Sequence, residues 1–291
     1  MGPSTISTVA VVSPGHMGGA IGAALASGGT RVVATTAGRS ARTVRLAAAS
    51  GLELLPTLDD VVSAADLVLS VAPPAEAVHI ARDIAAAASR TGRRPLVADL
   101  NAISPATVND VATALASAGL DLVDGSISGP PPPAERTATR IYVSGPRAVE
   151  LTDIVWPHLD LRIVGDEVGS ASALKMCSAS VYKGLTALGT QAMLTAYHHG
   201  VLEELLEELD LGGIAVNFAG SAAVAATKAA RYVPEMREIA ATQAGAGLTP
   251  ALFEAMAEVW GAVAKGPLAS ADPETVDRTA PAEEIVAGLL P

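Results

Sequence analysis

The stretch VAVVSPGHMGGAIGAAL, Val9 to Leu25, decides how this chain is read. Val9, Val11 and Val12 form a β-branched apolar run of the kind that makes a buried strand. The run breaks at Ser13-Pro14-Gly15, and from Met17 the residues are small and helix-compatible. Gly15 and Gly18 hold the second and third glycine positions of a G-x-G-x-x-G dinucleotide fingerprint, and Ser13 stands in place of the first. In that arrangement Gly15 lets the backbone approach a pyrophosphate and Gly18 lets the helix pack close to the strand. The helix N-terminus then offers free N–H groups and a partial positive charge to the phosphates. Ser13, Gly15, His16, Met17 and Gly18 are therefore the first expected cofactor contacts. A plain βα turn built of small residues would look similar. The pattern that follows it favours the dinucleotide reading.

Working outward, strand signals fall at 9–12, 31–35, 66–71, 95–99, 120–126 and 141–144. Helical segments lie between them: from Met17 to Gly28-Gly29, then 40–49, 59–65, 76–88, 105–118 and 147–156. Such alternation implies a doubly wound α/β Rossmann domain, with a mainly parallel sheet and right-handed crossovers. Ligands in such a sheet bind beyond the carboxyl ends of the strands. From about Gly169 the strand signal stops and long helices follow. The expected organisation is a cofactor-binding domain over 1–166 and an all-α domain over 167–291, the latter for substrate and dimerisation. Pro234 and Pro250 are expected in first turns of helices, Val201 to Leu209 as an acidic solvated helix face, and Ala282 to Leu290 as a last helix.

Composition bounds the function. A chain of 291 residues can bury a substantial core, and its aromatic content of 3% makes that core one of Ala, Val and Leu. A formal net charge of -11 argues against a nucleic-acid or anionic-membrane partner. The single cysteine, Cys177, rules out an internal disulfide and suits the reducing cytoplasm. The start MGPSTIST has no basic region followed by an apolar run, so no secretory leader is expected, and no apolar stretch is long enough to span a membrane.

The residues that carry chemistry lie at the expected carboxyl edge. After the second strand, Ala34 to Arg45 contains three arginines and no acid, where an NAD site would place an acid for the ribose hydroxyl. Arg39 and Arg42, with Thr36 and Ser40, are expected to hold the 2′-phosphate of NADP(H). Ordinary exposed arginines on an early helix are the alternative. Ala72 and Pro73, closing the strand from Asp66, complete the cofactor set. Asn101 follows the strand ending at Asp99 and is expected to offer its amide to cofactor or substrate, while Ser104 and Pro105 are explained as a helix cap and first turn. Ser128 and Gly129, beside the run Pro130 to Pro133, are expected to contact substrate. Lys175 lies among small residues on a helix, and Ser178, Ala179 and Tyr182 share its face. Turned to a cleft, Lys175 is a proton donor or acceptor with a tunable pKa; turned away, it is a solvated lysine. Lys183 is the weaker second candidate. No metal site is expected.

Taken together, these motifs resemble the β-hydroxyacid dehydrogenase family, related to 6-phosphogluconate dehydrogenase and the imine reductases. Gly15-His16-Met17-Gly18 resembles the family's cofactor loop. Asp99-Leu100-Asn101 through Ser104-Pro105 resembles its substrate-binding segment, and Asp124 through Ser128-Gly129 the segment beside the nicotinamide. Gly169 through Lys175 resembles the catalytic segment, with Lys175 on the catalytic lysine. The chain departs from the family at Ser13, Pro130 and Ala179, usually Gly, Gly and Asn. The resemblance implies an NADP-dependent oxidoreductase acting on a small hydroxy acid or its carbonyl, with Lys175 as general acid/base and Ser178 and Tyr182 near the substrate. It also implies a homodimer whose cleft the second subunit completes. Imine reductases generally replace the lysine, so imine reduction or reductive amination is the alternative chemistry, and NADP binding without catalysis is a further one.

Overall fold

The computed structural model describes residues 6–133, 139–214 and 216–291. Residues 1–5, on which the expectation of no leader partly rests, lie outside them. The chain forms two compact units, Met1–Met176 and Cys177–Pro291. The division falls inside a helix, later than the expected 166/167 boundary.

The first unit alternates strand and helix: β1 (Thr8–Val12), α1 (His16–Ser27), β2 (Arg31–Ala34), α2 (Ala41–Ala49), β3 (Glu53–Leu54), α3 (Leu58–Ala64), β4 (Leu67–Ser70), α4 (Ala77–Thr91), β5 (Leu96–Asp99), α5 (Pro105–Ala116), β6 (Leu122–Ser128), β7 (Thr139–Ser144) and β8 (Leu159–Gly165). They build one eight-stranded sheet in the order β3-β2-β1-β4-β5-β6-β7-β8. Among the described residues only β6 and β7 pair antiparallel. The order reverses between β1 and β4, and in sheets of this kind ligands bind beyond the carboxyl ends of the strands at such a reversal.

Local sequence explains most boundaries. Ser40 caps α2, Thr57 and Asp60 form a capping box on α3, and Ser104 with Pro105 opens α5. Strand residues alternate between two cores. Ala10, Val12, Val33, Val68 and Val97 face Ile80, Ile84, Val108 and Leu115 of α4 and α5. Val9, Val11, Val32, Leu67 and Leu69 face Ile21 and Leu25 of α1. Each such fully buried side chain stabilises the fold by about 1.5–3 kcal/mol.

Two expectations fail at the far end of the sheet. The helix expected at 147–156 is a short 3-10 segment, Ala148–Asp153, and β8 follows it unannounced. The segment stops at Asp153 because Ile154 is already extended. The strand itself is half exposed, which blurs its alternation.

The second unit comprises the rest of α6 (Ser170–His199), then α7 (Leu202–Leu211), α8 (Phe218–Ala226), α9 (Ala229–Gly245), α10 (Ala251–Val263) and α11 (Ala282–Leu289). Trp260 of α10 is fully buried and meets the ring of Tyr232 of α9 edge-on at 5.4 Å. Pro250 immediately precedes α10. Pro234, expected in a first turn, lies inside α9, because Ala229 to Tyr232 extend that helix upstream of it. Among the described residues no helix is long and apolar enough to cross a membrane.

Candidate active site

The β1–α1 turn carries the first part of the site. Ser13 adopts a left-handed conformation, φ +69°, which is where a glycine would sit without strain. Its carbonyl accepts from the Gly15 N–H at 2.7 Å. Gly18 has a reason inside the protein: a Cβ there would stand 2.7 Å from the Ser13 carbonyl and 3.2 Å from Val11 Cγ1. Gly15 has no such reason. Its φ of -78° suits any residue, and an added Cβ would meet nothing closer than the Ser13 carbonyl at 4.0 Å. Gly15 is also the N-cap of α1 and supplies no side-chain cap, so the first N–H groups of that helix face outward, with exposed His16 and half-buried Met17 beside them. Open space before an uncapped helix N-terminus, at the reversal of strand order where Val12 pairs with Ser70, fits a pyrophosphate.

At the end of β2 the chain turns through Gly38, with the Arg39 N–H donating to the Thr36 carbonyl at 3.0 Å. Ser40 Oγ accepts from the Thr43 N–H at 3.2 Å, so its lone pair is committed to the cap of α2. Arg39 is half-buried and Arg42 exposed. Some other arginines of this unit are tied to acids: Arg31 to Glu53 at 2.7 Å, Arg90 to Asp59 at 2.6 Å, Arg147 to Glu150 and Asp121, both at 2.6 Å. Among the described residues Arg39 and Arg42 have no acidic partner, and β2 ends without an acid.

The ends of β4, β5 and β6 form a buried polar network. Asn101 is 2% exposed and its amide is consumed internally. Oδ1 accepts from the Ala72 N–H at 2.6 Å, and Nδ2 donates to Ser70 Oγ at 3.0 Å and to Asp99 Oδ2 at 2.7 Å. The expectation that this amide reaches out to a ligand is therefore corrected. Asn101 ties β5 to the loop after β4 and so sets the position of Ala72 and Pro73. Asp99 also accepts from the Asn101 N–H at 3.0 Å. Burial pushes its carboxyl up to about 7, opposed by these hydrogen bonds and assisted by neighbouring Asp124.

Asp124, fully buried opposite Asp99 in the β5–β6 register, anchors the start of α6. Its Oδ2 accepts from the N–H groups of Gly169 and Ser172 and from Ser144 Oγ, each at 3.0 Å. Its Oδ1 accepts from Ser172 Oγ at 2.6 Å. Ser126 Oγ donates to the Ala171 carbonyl, and the Ala171 N–H donates to Ser144 Oγ, both at 3.0 Å. This is why the first turns of α6, with half-buried Lys175, belong to the sheet unit. Ser70, Ser126, Ser144 and Ser172 escaped the sequence reading. Their signal was only that small polar residues gather at several strand ends.

Ser128 closes β6 half-buried, and Gly129 follows at φ +129°. A Cβ at Gly129 would press on Thr139 Cα at 3.2 Å, so the β7 backbone requires the glycine. Farther along α6, in the helical unit, Ser178 is half-buried and Tyr182 is 75% exposed. Lys183 is engaged elsewhere: its Nζ donates to Glu235 and lies 4.9 Å from the Tyr232 ring centroid. Among the described residues no cluster of His, Cys, Asp or Glu is placed to hold a metal.

Comparisons with known proteins agree with this fold. A family profile described as the NAD binding domain of 6-phosphogluconate dehydrogenase matches residues 8–154. A second, described as a domain of unknown function (DUF1932), matches residues 196–263. An uncharacterized 28.5 kDa protein of Methanothermus fervidus is 26% identical over 175 residues, 60% of this chain. The match spans 64% of that relative's length. The structure of a conserved hypothetical protein from Sinorhizobium meliloti is similar at TM-score 0.66 and 26% identity, covering 99% of this chain and 98% of the other. That of a Mycobacterium tuberculosis 3-hydroxyisobutyrate dehydrogenase, with L-serine, is similar at TM-score 0.66 and 20% identity, covering 97% and 98%.

Proposed function

Because the chain belongs to the family of the NAD binding domain of 6-phosphogluconate dehydrogenase, we propose that it is an NADP-dependent oxidoreductase acting on a small hydroxy acid or the matching carbonyl compound. The observation that carries the reading is Gly15, a glycine with no steric or conformational reason inside the protein, placed before the uncapped N-terminus of α1 at the sheet's reversal point. Gly15, His16, Met17 and Gly18 would hold the pyrophosphate, Ala72 and Pro73 would flank the cofactor, and Arg39 and Arg42 would bracket the 2′-phosphate with Thr36 and the Ser40 hydroxyl.

The nicotinamide, when bound, supplies or accepts the hydride. The protein supplies position and a proton. Lys175 Nζ gives the proton to the carbonyl oxygen on reduction and takes it from the hydroxyl on oxidation. Ser128 and Gly129 orient the substrate, with Ser178 and Tyr182 on the face of α6 that Lys175 shares. Asn101 acts through Ala72 rather than by touching ligand. The reading includes a homodimer in which a second subunit completes the cleft, and a cytoplasmic location suited to the lone exposed Cys177.

The test is a titration of NADPH and NADH, followed by protein fluorescence, on the unmodified chain, on Gly15→Val and on the Arg39→Ala/Arg42→Ala pair. NADPH binds the unmodified chain more tightly than NADH by at least about tenfold, and the arginine pair loses most of that preference. Gly15→Val loses at least about tenfold in affinity for both cofactors while its melting temperature falls by only a few degrees at most, since the new Cβ enters open space and the helix loses only a favourable N-cap residue. Undiminished binding by Gly15→Val sinks the cofactor site.

A further inference from the structure

The helical unit contains a cavity that shares Tyr182 with the proposed substrate contacts and is otherwise lined by residues the proposed reaction does not use. Its volume is about 470 Å³, and it lies among α6, α8, α9 and the segment leading to α11. Lys183, Ser221, Val224, Tyr232 and Arg278 are on its wall, with Asn217 at the start of α8. Lys183 and Arg278 are the charged residues of its lining, and the charges that act on nearby Lys228 are those two, Arg231 and the carboxylate Glu235. Glu235 is already spent: Oε2 accepts from Lys183 and Oε1 lies 3.1 Å from Arg231 Nε. Among the described residues Lys228 and Arg278 have no acid of their own. Burial, and then the repulsion of Arg231 and Arg278, hold the Lys228 ammonium below the usual lysine range. This gathering of cations stands out in a chain with 30 acids against 19 lysines and arginines. Elsewhere in the molecule, Arg31, Arg90, Arg147 and Arg162 each lie against a carboxylate.

The remaining polar groups favour the same sign. Asn217 Oδ1 accepts from the Gly220 N–H at 2.7 Å, so the acceptor of that amide is committed and its donors are what it has left to offer. Ser221 adds a hydroxyl. Val224 and the Tyr232 ring, which rests on buried Trp260 and has Lys183 Nζ 4.9 Å from its centroid, add apolar surface. The lining therefore combines cations and donors with apolar surface.

We propose that this cavity binds a small organic acid, its carboxylate held by Arg278 within the field of Lys183 and Lys228 and its carbon body against Val224 and Tyr232. An oxygen pair of a planar carboxylate matches the guanidinium fork. The volume is ample for a molecule of a few carbons.

The experiment titrates the full chain with malonate at constant ionic strength. It follows Trp fluorescence, because Trp260 packs on the ring that lines the cavity. Inorganic phosphate is the second arm, and Lys175→Met, Gly15→Val, Arg278→Gln and Lys228→Gln are the variants. Malonate binds saturably, phosphate at least about tenfold more weakly, and Arg278→Gln weakens malonate by at least about tenfold. Lys228→Gln weakens it by about threefold, and it decides the matter if Arg278→Gln proves unstable. Lys175→Met and Gly15→Val bind malonate as the parent does, so failure here and failure of the dehydrogenase reading are separate results. An unsaturable response, unchanged binding in Arg278→Gln and Lys228→Gln, equal binding of phosphate, or loss of the signal in Lys175→Met overturns the proposal.

Discussion

Ser13 holds a backbone conformation that costs a residue with a Cβ roughly 1–2 kcal/mol. Ser13→Gly is therefore expected to stabilise the folded chain by about 1 kcal/mol, offset in part by the freedom glycine gains when unfolded. Thermal unfolding checks this: the melting temperature should rise by about 2–4 °C, and a fall would mean the serine hydroxyl is needed in the turn. Lys175 is tested by Lys175→Met, which keeps the stem's packing and removes the proton carrier. Turnover on the hydroxy acid that proves to be the substrate should drop by ~10²–10⁴ with NADPH affinity unchanged. Turnover equal to the parent's would move the proton to another group. The two glycines of the cofactor turn were legible because their spacing is local. Asn101 was misread because its partners Ser70 and Ala72 are distant in sequence, and no periodicity shows that an amide is satisfied.

At the scale of elements, the Asp99 carboxyl makes stability depend on pH. Its folded pKa, about 7, lies above the ordinary carboxylate value, so between the two the folded chain binds the extra proton. The sign follows: Asp99 weakens the fold progressively as pH rises from about 4 to about 7, and the full penalty is present above that. The exposed acids Glu53 and Asp59, paired with arginine, are held below their usual range and act in the opposite sense toward acid. The difference between the parent and Asp99→Asn isolates the buried group. Denaturant unfolding should show the parent losing stability relative to the variant, by a few kcal/mol at most, between about pH 4 and pH 7. A difference that does not change with pH would mean that Asp99 keeps an ordinary carboxylate pKa. Helices and central strands were readable because caps such as Ser40 and Ser104 and runs such as Leu67 to Ser70 carry local signals. The two-residue β3 and half-exposed β8 were not, since neither has a long apolar alternation to detect.

For the whole molecule, α6 leaves Leu174, Val181, Leu185 and Leu188 exposed at 40%, 58%, 47% and 61%. Their spacing puts them along one side of the helix, a stripe longer than isolated surface leucines need. A dimer is the expected state, and Leu188→Asp should dissociate it; light scattering that finds the unmodified chain monomeric at micromolar concentration ends the shared-cleft reading. The cation-lined cavity was not legible in the sequence, since Lys183 of α6 and Arg278 of the segment before α11 line it together only through tertiary packing. The last strand of the sheet carries a different consequence. β8 presents Ile163 and Val164 to solvent, and the charges beside them are Arg162 and Asp160, paired at 2.6 Å. An open strand edge is a template on which another chain can grow, and charge is what keeps that chain away. Concentrated salt screens the charge and, for sulfate or phosphate, strengthens apolar contact as well. Storage losses should then be colloidal, set by protein concentration and salt, and should begin from molecules that are still folded.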